Sequence, residues 1–464
     1  MVKDVNKKNS FFMKHDIEKE VYWSVSAIES FNKEHAYKIC DNKFIINNSI
    51  TTIEKDEKEG MICKIFLEKL HGAKYNQNPE NFGIFKEIIL ESTGNKYLIK
   101  EDSINSLSIS LSSPQVLTLG LTHFQSGLKE DFENRKHRLV IPINENEEVN
   151  IDLVEFKVLK IGGTVTVRGL IHIFFNEKNY HLFRYKNDDS GKQYLIIDCE
   201  EIMPFSEFKK NTNAIITSFG YLTGNLFNGE YYYQALKVGE ESMIDFIYYE
   251  KREKSAITNM PILDPMRFQE YIKTIDKKRQ DIPLRMSIEC FSNLCKVVSL
   301  NETYSRCCNL IIEGNQSKQL LLRAGIYSIA LETLTNIIYN ESPEKINPIP
   351  EKKLVELIKN KFYGILNEYE EFISDYGKRV LESKINSFNS PTNTKKLSKP
   401  FEIYGIKLST EDIEILSHRN KFLHGSSGQV KKLGNNIIFV KKSYRNTRHK
   451  IITEHISSRA DEIF

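Results

Sequence analysis

Late in the chain, Arg419-Asn420-Lys421-Phe422-Leu423-His424 sets a permanent cation, a carboxamide and an imidazole within a turn and a half of helix. At about 100° per residue, Asn420 and His424 share one face, roughly 40° apart, while Arg419 lies about 140° from His424. The long Arg419 side chain can still reach a phosphate held by His424 at the last turn. These groups suit metal-free cleavage of RNA. A near-neutral imidazole takes the proton from a ribose 2′-hydroxyl, and the oxyanion attacks the adjacent phosphorus and leaves a 2′,3′-cyclic phosphate. A guanidinium stabilises the charge that builds on phosphorus. The carboxamide orients the phosphate or fixes the imidazole tautomer. DNA lacks the 2′-hydroxyl and is excluded without any base contact. One histidine supplies a base or an acid but not both at once, so two copies meeting across a twofold axis are the natural architecture.

The helix that must hold these groups is LSTEDIEILSHRNKFLHGSSG. Ser409 or Thr410 is placed to cap it, Glu411 and Asp412 suit its positive end, and Gly425 stops it. Ile413, Leu416 and Leu423 share the face of Asn420 and His424, so this polar pair sits on an apolar stripe and must be partnered or used. His418 and Lys421 point away from that face. The strongest helix is NQSKQLLLRAGIYSIALETLTNIIYN, with Leu320, Ala324, Tyr327, Leu331, Leu334 and Ile338 on one stripe and Glu332 among apolar or small residues. PEKKLVELIKNKFYGILNEYEEFISDYGKRVLESKI follows as two helices or one bent one. FNSPTNTKKLSKP reads as a loop, and SYRNTRHKIITEHISSRADEIF as a last basic, amphipathic helix. Four or five helices with short connections make an antiparallel bundle. Lys441, Lys442, Arg445, Arg448 and Lys450 fall close enough together to neutralise several phosphates, although such a run also serves as a solvated face.

The preceding two-thirds reads as strands. NIDLVEFKVLK, IGGTVTVRGLIHIFF, YHLFRY and QYLIID are β-branched and aromatic segments separated by turn residues, as in antiparallel hairpins. MICKIFLEKL, FGIFKEIILEST, NKYLIK and SINSLSISLSS are similar but less regular. His172 and His181 lie on opposite arms of one hairpin and can face one another. Tyr231, Tyr232 and Tyr233 could stack on bases, but three aromatics in one strand more often pack on both faces of a sheet. Residues 245–303 read as helical, with DPMRFQEYIKTIDKKRQ and PLRMSIECFSNLCKVVSL each starting near a proline. The expected organisation is therefore α+β: a strand-rich, mainly antiparallel region over 1–244, a helical connector over 245–309, and a helical bundle over 310–464.

Composition bounds these readings. At 464 residues and 54.0 kDa the chain is too long for one core and fits two or three domains. With 40% apolar and 27% charged residues it is neither disordered nor fibrous. The net charge of +3 does not mark a nucleic-acid binder as a whole. Residues 318–464 carry 24 Lys+Arg against 17 Asp+Glu, a local net of +7, which leaves −4 for the first 317. That shift and the Gly, Asn and Ser of NLIIEGNQSKQ place a boundary near 305–318. No run of about 18 apolar residues suggests a membrane span, and the first residues lack a secretory signal pattern. The seven cysteines match no zinc spacing and suit free thiols in a reducing cytosol, so a cytoplasmic protein without metal or cofactor is expected.

Arg-x4-His with Asn after the Arg, at the end of a late bundle helix and followed by Gly, resembles the HEPN ribonuclease motif. The helix LLRAGIYSIALETLTNII is similar to the early HEPN helix that carries an acidic residue, here Glu332. A strand-rich region ahead of a C-terminal HEPN bundle resembles the ApeA-like abortive-infection proteins of bacteria. The resemblance covers about residues 310–464 and, ahead of them, layout alone. It implies an endoribonuclease of antiphage defence that dimerises through the bundle, cuts RNA such as tRNA, and answers to a trigger such as a phage-derived protein. It assigns the motif roles to Arg419, Asn420 and His424 and a supporting role to Glu332. Other readings stay open: a non-catalytic HEPN scaffold that binds nucleotide or a partner protein, a strand-rich ligand-binding protein with a dimerising tail, or an arginine in a surface salt bridge beside a histidine that caps a helix end.

Overall fold

A computed structural model describes residues 21–29, 37–40, 50–56, 60–67, 87–92, 95–110, 115–127, 129–144, 149, 151–155, 157–161, 164–227, 229–237, 240–252, 285–410, 412–413 and 416. The chain is α+β and divides into two compact units, residues 1–259 with 264–299 and residues 260–263 with 300–464. The division falls a few residues ahead of the expected boundary near 305–318.

Among the described residues the first unit is built on one antiparallel ladder of fifteen strands, which runs from Lys157–Ile161 (β10) at one edge to Ile104–Ser110 (β6) at the other. Between them lie, in spatial order, Thr164–Phe175 (β11), Lys178–Lys186 (β12), Gln193–Cys199 (β13), Lys136–Ile143 (β9), Glu230–Lys237 (β14), Glu240–Lys251 (β15) and His123–Ser126 (β8). Asn95–Lys100 (β5), Glu87–Ser92 (β4), Tyr37–Cys40 (β1), Ile50–Asp56 (β2), Gly60–Leu67 (β3) and Gln115–Leu121 (β7) complete the order. The strands that matter most below are β9 (Lys136–Ile143), β11 (Thr164–Phe175), β12 (Lys178–Lys186), β13 (Gln193–Cys199), β14 (Glu230–Lys237) and β15 (Glu240–Lys251). β11 and β12 form the hairpin expected from their alternation, with His172 opposite His181. MICKIFL, EIILES, NKYLIK and INSLSIS lie in or form strands as well. Residues 245–251, expected to begin a helical connector, belong instead to β15, where Phe246, Tyr248 and Tyr249 pair with β14. Alternating aromatic and β-branched residues there outweigh the helix reading.

Two helices in this unit escape a reading by strand patterns. Residues 21–29 form α1, and Phe205–Thr223 forms α2 between β13 and β14. Pro204 precedes the first turn of α2, Glu207 meets its positive end, and Gly224 closes it at φ 72°, a conformation that suits a residue without Cβ. Val21, Val25 and Ile28 of α1 join Ile53, Cys63, Leu119, Phe124, Val140, Ile196, Tyr232 and Tyr249 in one buried cluster. Tyr233, on the other parity of β14, meets Phe205 and Phe208 of α2 edge to face. Phe219 of α2 meets Phe291 of α3 (Ile288–Leu300). Each large apolar side chain removed from water here contributes about 1.5–3 kcal/mol.

Parity also separates two adjacent polar residues of β9. Arg138 is fully buried and donates to both carboxylate oxygens of Asp198, at 2.5 and 2.9 Å, and to Ser24 Oγ of α1 at 2.7 Å. Arg138 is in register with Asp198 of β13 on one side and Gln234 of β14 on the other. Gln234 donates to the Ser24 carbonyl at 2.9 Å. Three central strands and α1 thus share one buried polar knot. His137 points the opposite way, onto Phe205 and Phe208, with Nε2 3.1 Å from the Met203 carbonyl. Burial, with a smaller contribution from nearby Arg135, holds its pKa down at about 4.

The second unit is helical as described: α4 (Glu302–Gln316), α5 (Leu320–Glu341), the one-turn α6 (Pro343–Ile346), α7 (Lys352–Glu368), α8 (Asp375–Ser387) and α9 (Asn393–Ile403). Asn301 caps α4 by accepting from Thr303 N at 2.8 Å. α4 and α5 run antiparallel, with Cys307 against Ala330 and Asn315 against Tyr327. They approach so closely that a Cβ on Gly314 would lie 2.5 Å from the Tyr327 ring. Tyr327, Leu331, Leu334 and Ile338 of the expected stripe are buried and Ala324 is half-buried. α7 and α8 resolve the long following segment into two helices split by a turn at Glu370–Phe372. The loop expected over 388–400 is largely helix: Thr392 caps α9, and burial of Leu397, Pro400 and Phe401 outweighs the turn-forming composition. Among the described residues no helix is long and apolar enough to cross a membrane.

Removing one partner of the buried pair leaves an uncompensated charge. Asp198→Ala is expected to lower unfolding stability by about 3–5 kcal/mol, and Arg138→Met with Asp198→Leu by less, as read by urea titration. His137 adds a pH dependence. Between pH 6.5 and about 4 the unfolded chain binds its proton and the folded chain does not, so stability present above 6.5 is lost as pH falls. The loss approaches ~3 kcal/mol, and His137→Phe should flatten that part of a stability–pH curve.

Candidate functional site

The helix expected to carry the motif begins where its sequence indicates. Residues 410, 412, 413 and 416 are helical, and Ile413 N donates to the Ser409 carbonyl at 3.1 Å. Ser409 and Asp412 form a reciprocal box: Asp412 N donates to Ser409 Oγ at 3.1 Å, and Ser409 N donates to Asp412 Oδ2 at 2.9 Å. Two end amides are thereby satisfied, and a carboxylate sits at the positive end of the helix. Ser409 is the cap rather than Thr410. Leu416 is buried while Ile413 is largely exposed, so the helix turns the Leu416 side inward. Arg419, Asn420 and His424 lie outside the described residues, as do Lys441, Lys442, Arg445, Arg448 and Lys450.

Glu332 is described. It stands on the exposed stripe of α5 with Ile329, Asn336 and Asn340. It projects away from the buried stripe of Tyr327, Leu331 and Leu334, as a carboxylate that must stay hydrated or meet a charged partner. One turn further along α5 opens a cleft of about 320 Å³ between α4 and α5. The α4 cap Asn301, with Thr303 and Arg306 of α4, lines it together with Thr333, Asn336, Asn340 and Glu341 of α5. Carboxamides and hydroxyls there can donate to or accept from a polar ligand, and the guanidinium can hold an anionic oxygen. The cleft was not singled out from sequence. The Asn336/Asn340 spacing on an otherwise apolar helix was the available signal.

The other sequence candidates resolve into structural roles. Tyr231, Tyr232 and Tyr233 are buried, Tyr232 toward α1 and its two neighbours toward α2, so the base-stacking reading does not hold. Arg252 sits over the Tyr231 ring at 4.0 Å and donates to Asn213 at 2.6 Å. Burial raises the Tyr231 hydroxyl to about 12 and also holds Tyr232 well above the ordinary phenol. His172 and His181 do face one another, with Nδ1 and Nε2 3.0 Å apart, and His181 Nε2 lies 3.2 Å from Glu200. Among the described residues no group of three or more His, Cys, Asp or Glu is placed to hold a metal ion. Cys63 and Cys295 are fully buried, and burial pushes both thiols up to about 12, well away from the reactive thiolate range.

No protein-family model, curated protein or solved structure matches this chain.

The capping box is open to direct measurement. Ser409→Ala removes a cap worth about 1 kcal/mol, so amide exchange at 412, 413 and 416 is expected to speed up roughly fivefold while the α4–α5 pair keeps its protection.

Proposed function

We propose that the chain is a metal-independent endoribonuclease of HEPN type, acting in the bacterial cytoplasm in antiphage defence of the abortive-infection kind. The observation that carries this reading is the Arg419-Asn420-x3-His424 spacing on the segment whose helix starts at the Ser409–Asp412 box. On an ideal helix continued from that start, Asn420 would follow buried Leu416 by one turn and His424 by two. In this reading His424 removes the 2′-hydroxyl proton, Arg419 stabilises the charge on phosphorus, and Asn420 orients the phosphate or the imidazole. The products are a 2′,3′-cyclic phosphate and a free 5′-hydroxyl, and no cofactor is used. Lys441, Lys442, Arg445 and Arg448 would hold the RNA backbone, and Glu332 would support the site from α5. A homodimer through the helical unit would supply a base from one copy and an acid from the other. The strand-rich first unit would restrain the nuclease until a trigger such as a phage protein is sensed.

The test is purified protein with radiolabelled RNA in excess chelator, with product ends identified. Wild type should yield 2′,3′-cyclic phosphate ends. Arg419→Ala and His424→Ala should each lower the rate by about 10²–10⁴-fold with an unchanged unfolding midpoint. Full cleavage by both variants would defeat the proposal.

A further inference from the structure

The two edges of the sheet in the first unit are built differently. β10, at one edge, carries Lys157 and Lys160, and lysine on an edge strand opposes pairing with another chain. β6, at the other, carries no charge: SINSLSISLSSP, from Ser103 to Pro114, contains no Asp, Glu, Lys or Arg. Every residue of β6 after Ile104 is exposed. Its one irregularity lies at its start, between Ile104 and Ser106, where Asn105 and Ser106 crowd over Gly120 of β7 in space that a Cβ would fill. From Ser106 to Ser110 the register with β7 is regular. Among the described residues no strand pairs with the other side of β6. Along that side, the backbone groups that do not reach β7 face outward.

The side chains select what would lie there. Leu107 and Ile109 stand opposite Leu119 and Leu117, both buried in the core cluster, yet each is itself 38% exposed. The apolar face of the sheet thus runs one strand past the point where it is covered. Ser106, Ser108 and Ser110 share the opposite face. An added strand completes this pattern with apolar residues at every second position and small or hydroxyl residues between them. A charged strand would bring its charge beside an edge that offers no partner for it. The edge is about 23 Å long and on the order of 300 Å² in area, whereas pairing of two folded bodies takes about 800 Å² on each. It therefore suits a linear segment that binds through its backbone better than a second copy of the chain. We propose that β6 is a docking edge for an extended, uncharged stretch of another polypeptide, which adds to the sheet as a further strand. Main-chain hydrogen bonds give such binding its affinity, and alternate side chains give its specificity. The proposal concerns the first unit alone and stands whether or not the chain cuts RNA.

The experiment titrates the full chain into a fluorescein-labelled peptide of four Thr-Val pairs between paired lysines, read by anisotropy. Amide exchange is mapped with and without the peptide. Binding is expected with a dissociation constant below about 100 μM, together with roughly tenfold slower exchange within residues 104–110. The same peptide with proline at its two central positions should bind about tenfold more weakly, because proline cannot donate to a ladder. Leu107→Lys with Ile109→Lys should also weaken binding about tenfold. Leu107→Thr with Ile109→Thr keeps strand-forming residues and should weaken it several-fold with an unchanged unfolding midpoint. No binding by wild type, binding that leaves exchange at 104–110 unchanged, or binding indifferent to both double substitutions would overturn the proposal. So would protection of 104–110 that grows with protein concentration in the absence of peptide, since a second copy would then hold the edge.

Discussion

A guanidinium enclosed between interior strands of the sheet sets the arrangement of the first unit. Arg138 has no route to water and meets its needs through Asp198 on one neighbouring strand and Ser24 on α1, while Gln234 on the other neighbour reaches back to the same turn of α1. Desolvating the pair is costly, and its return depends on all the donors and acceptors being in place together. The pairing of β9 with both neighbours is therefore fixed by chemistry as well as by packing. A slip of one residue would carry Arg138 to the face of Phe205 and Phe208 and place His137 among the aliphatic residues beneath α1. The consecutive polar residues of β9 thus act as a key cut on two sides, one reading each face of the sheet.

The helical unit obeys a different constraint, that of close approach. At Gly314 the α4 backbone lies against the ring of Tyr327, whose hydroxyl is tied to Asn315 beside it. This contact fixes the relative rotation of α4 and α5, and so decides which residues of α5 face outward. Glu332, Asn336 and Asn340 fall on the outward side as a result, and the polar cleft between the helices opens next to them. The α7–α8 hairpin obeys neither constraint among the described residues and carries its apolar groups outward.

The legible part of the fold was the part with a single strong period. The β11–β12 hairpin announced itself by alternation and a turn, and its two histidines face one another as expected. The α5 stripe read correctly at Tyr327, Leu331, Leu334 and Ile338 because one face of that helix is uniformly apolar. The start of the late helix was readable from Ser409 and Asp412, since a capping box is a local signal. Where local signals competed, tertiary burial prevailed. In α2 the polar run Lys209-Lys210-Asn211-Thr212-Asn213 obscures the helical period, yet Asn211 and Thr212 are buried, Asn211 donating to Tyr180 and Thr212 to its own helix. In α9 the prolines and asparagines suggested a loop, and Leu397 and Phe401 made it a helix. The Arg138 knot was invisible because its partners come from segments far apart in sequence, and no local pattern announces an arginine that will be enclosed. Of the candidate residues, the types and spacing of Arg419, Asn420 and His424 were plain in the sequence, whereas the cleft beside Glu332 depends on two helices meeting.

The single tryptophan of the chain is Trp23, adjacent to Ser24 on α1, half-exposed and packed edge-on against Tyr22. An indole on α1 follows the docking of that helix, since release of α1 from the sheet would change its surroundings and no other ring in the protein contributes the same emission. The molecule thus carries a built-in optical reporter on the one helix whose docking is chemically keyed, and its fluorescence isolates that local event from unfolding elsewhere.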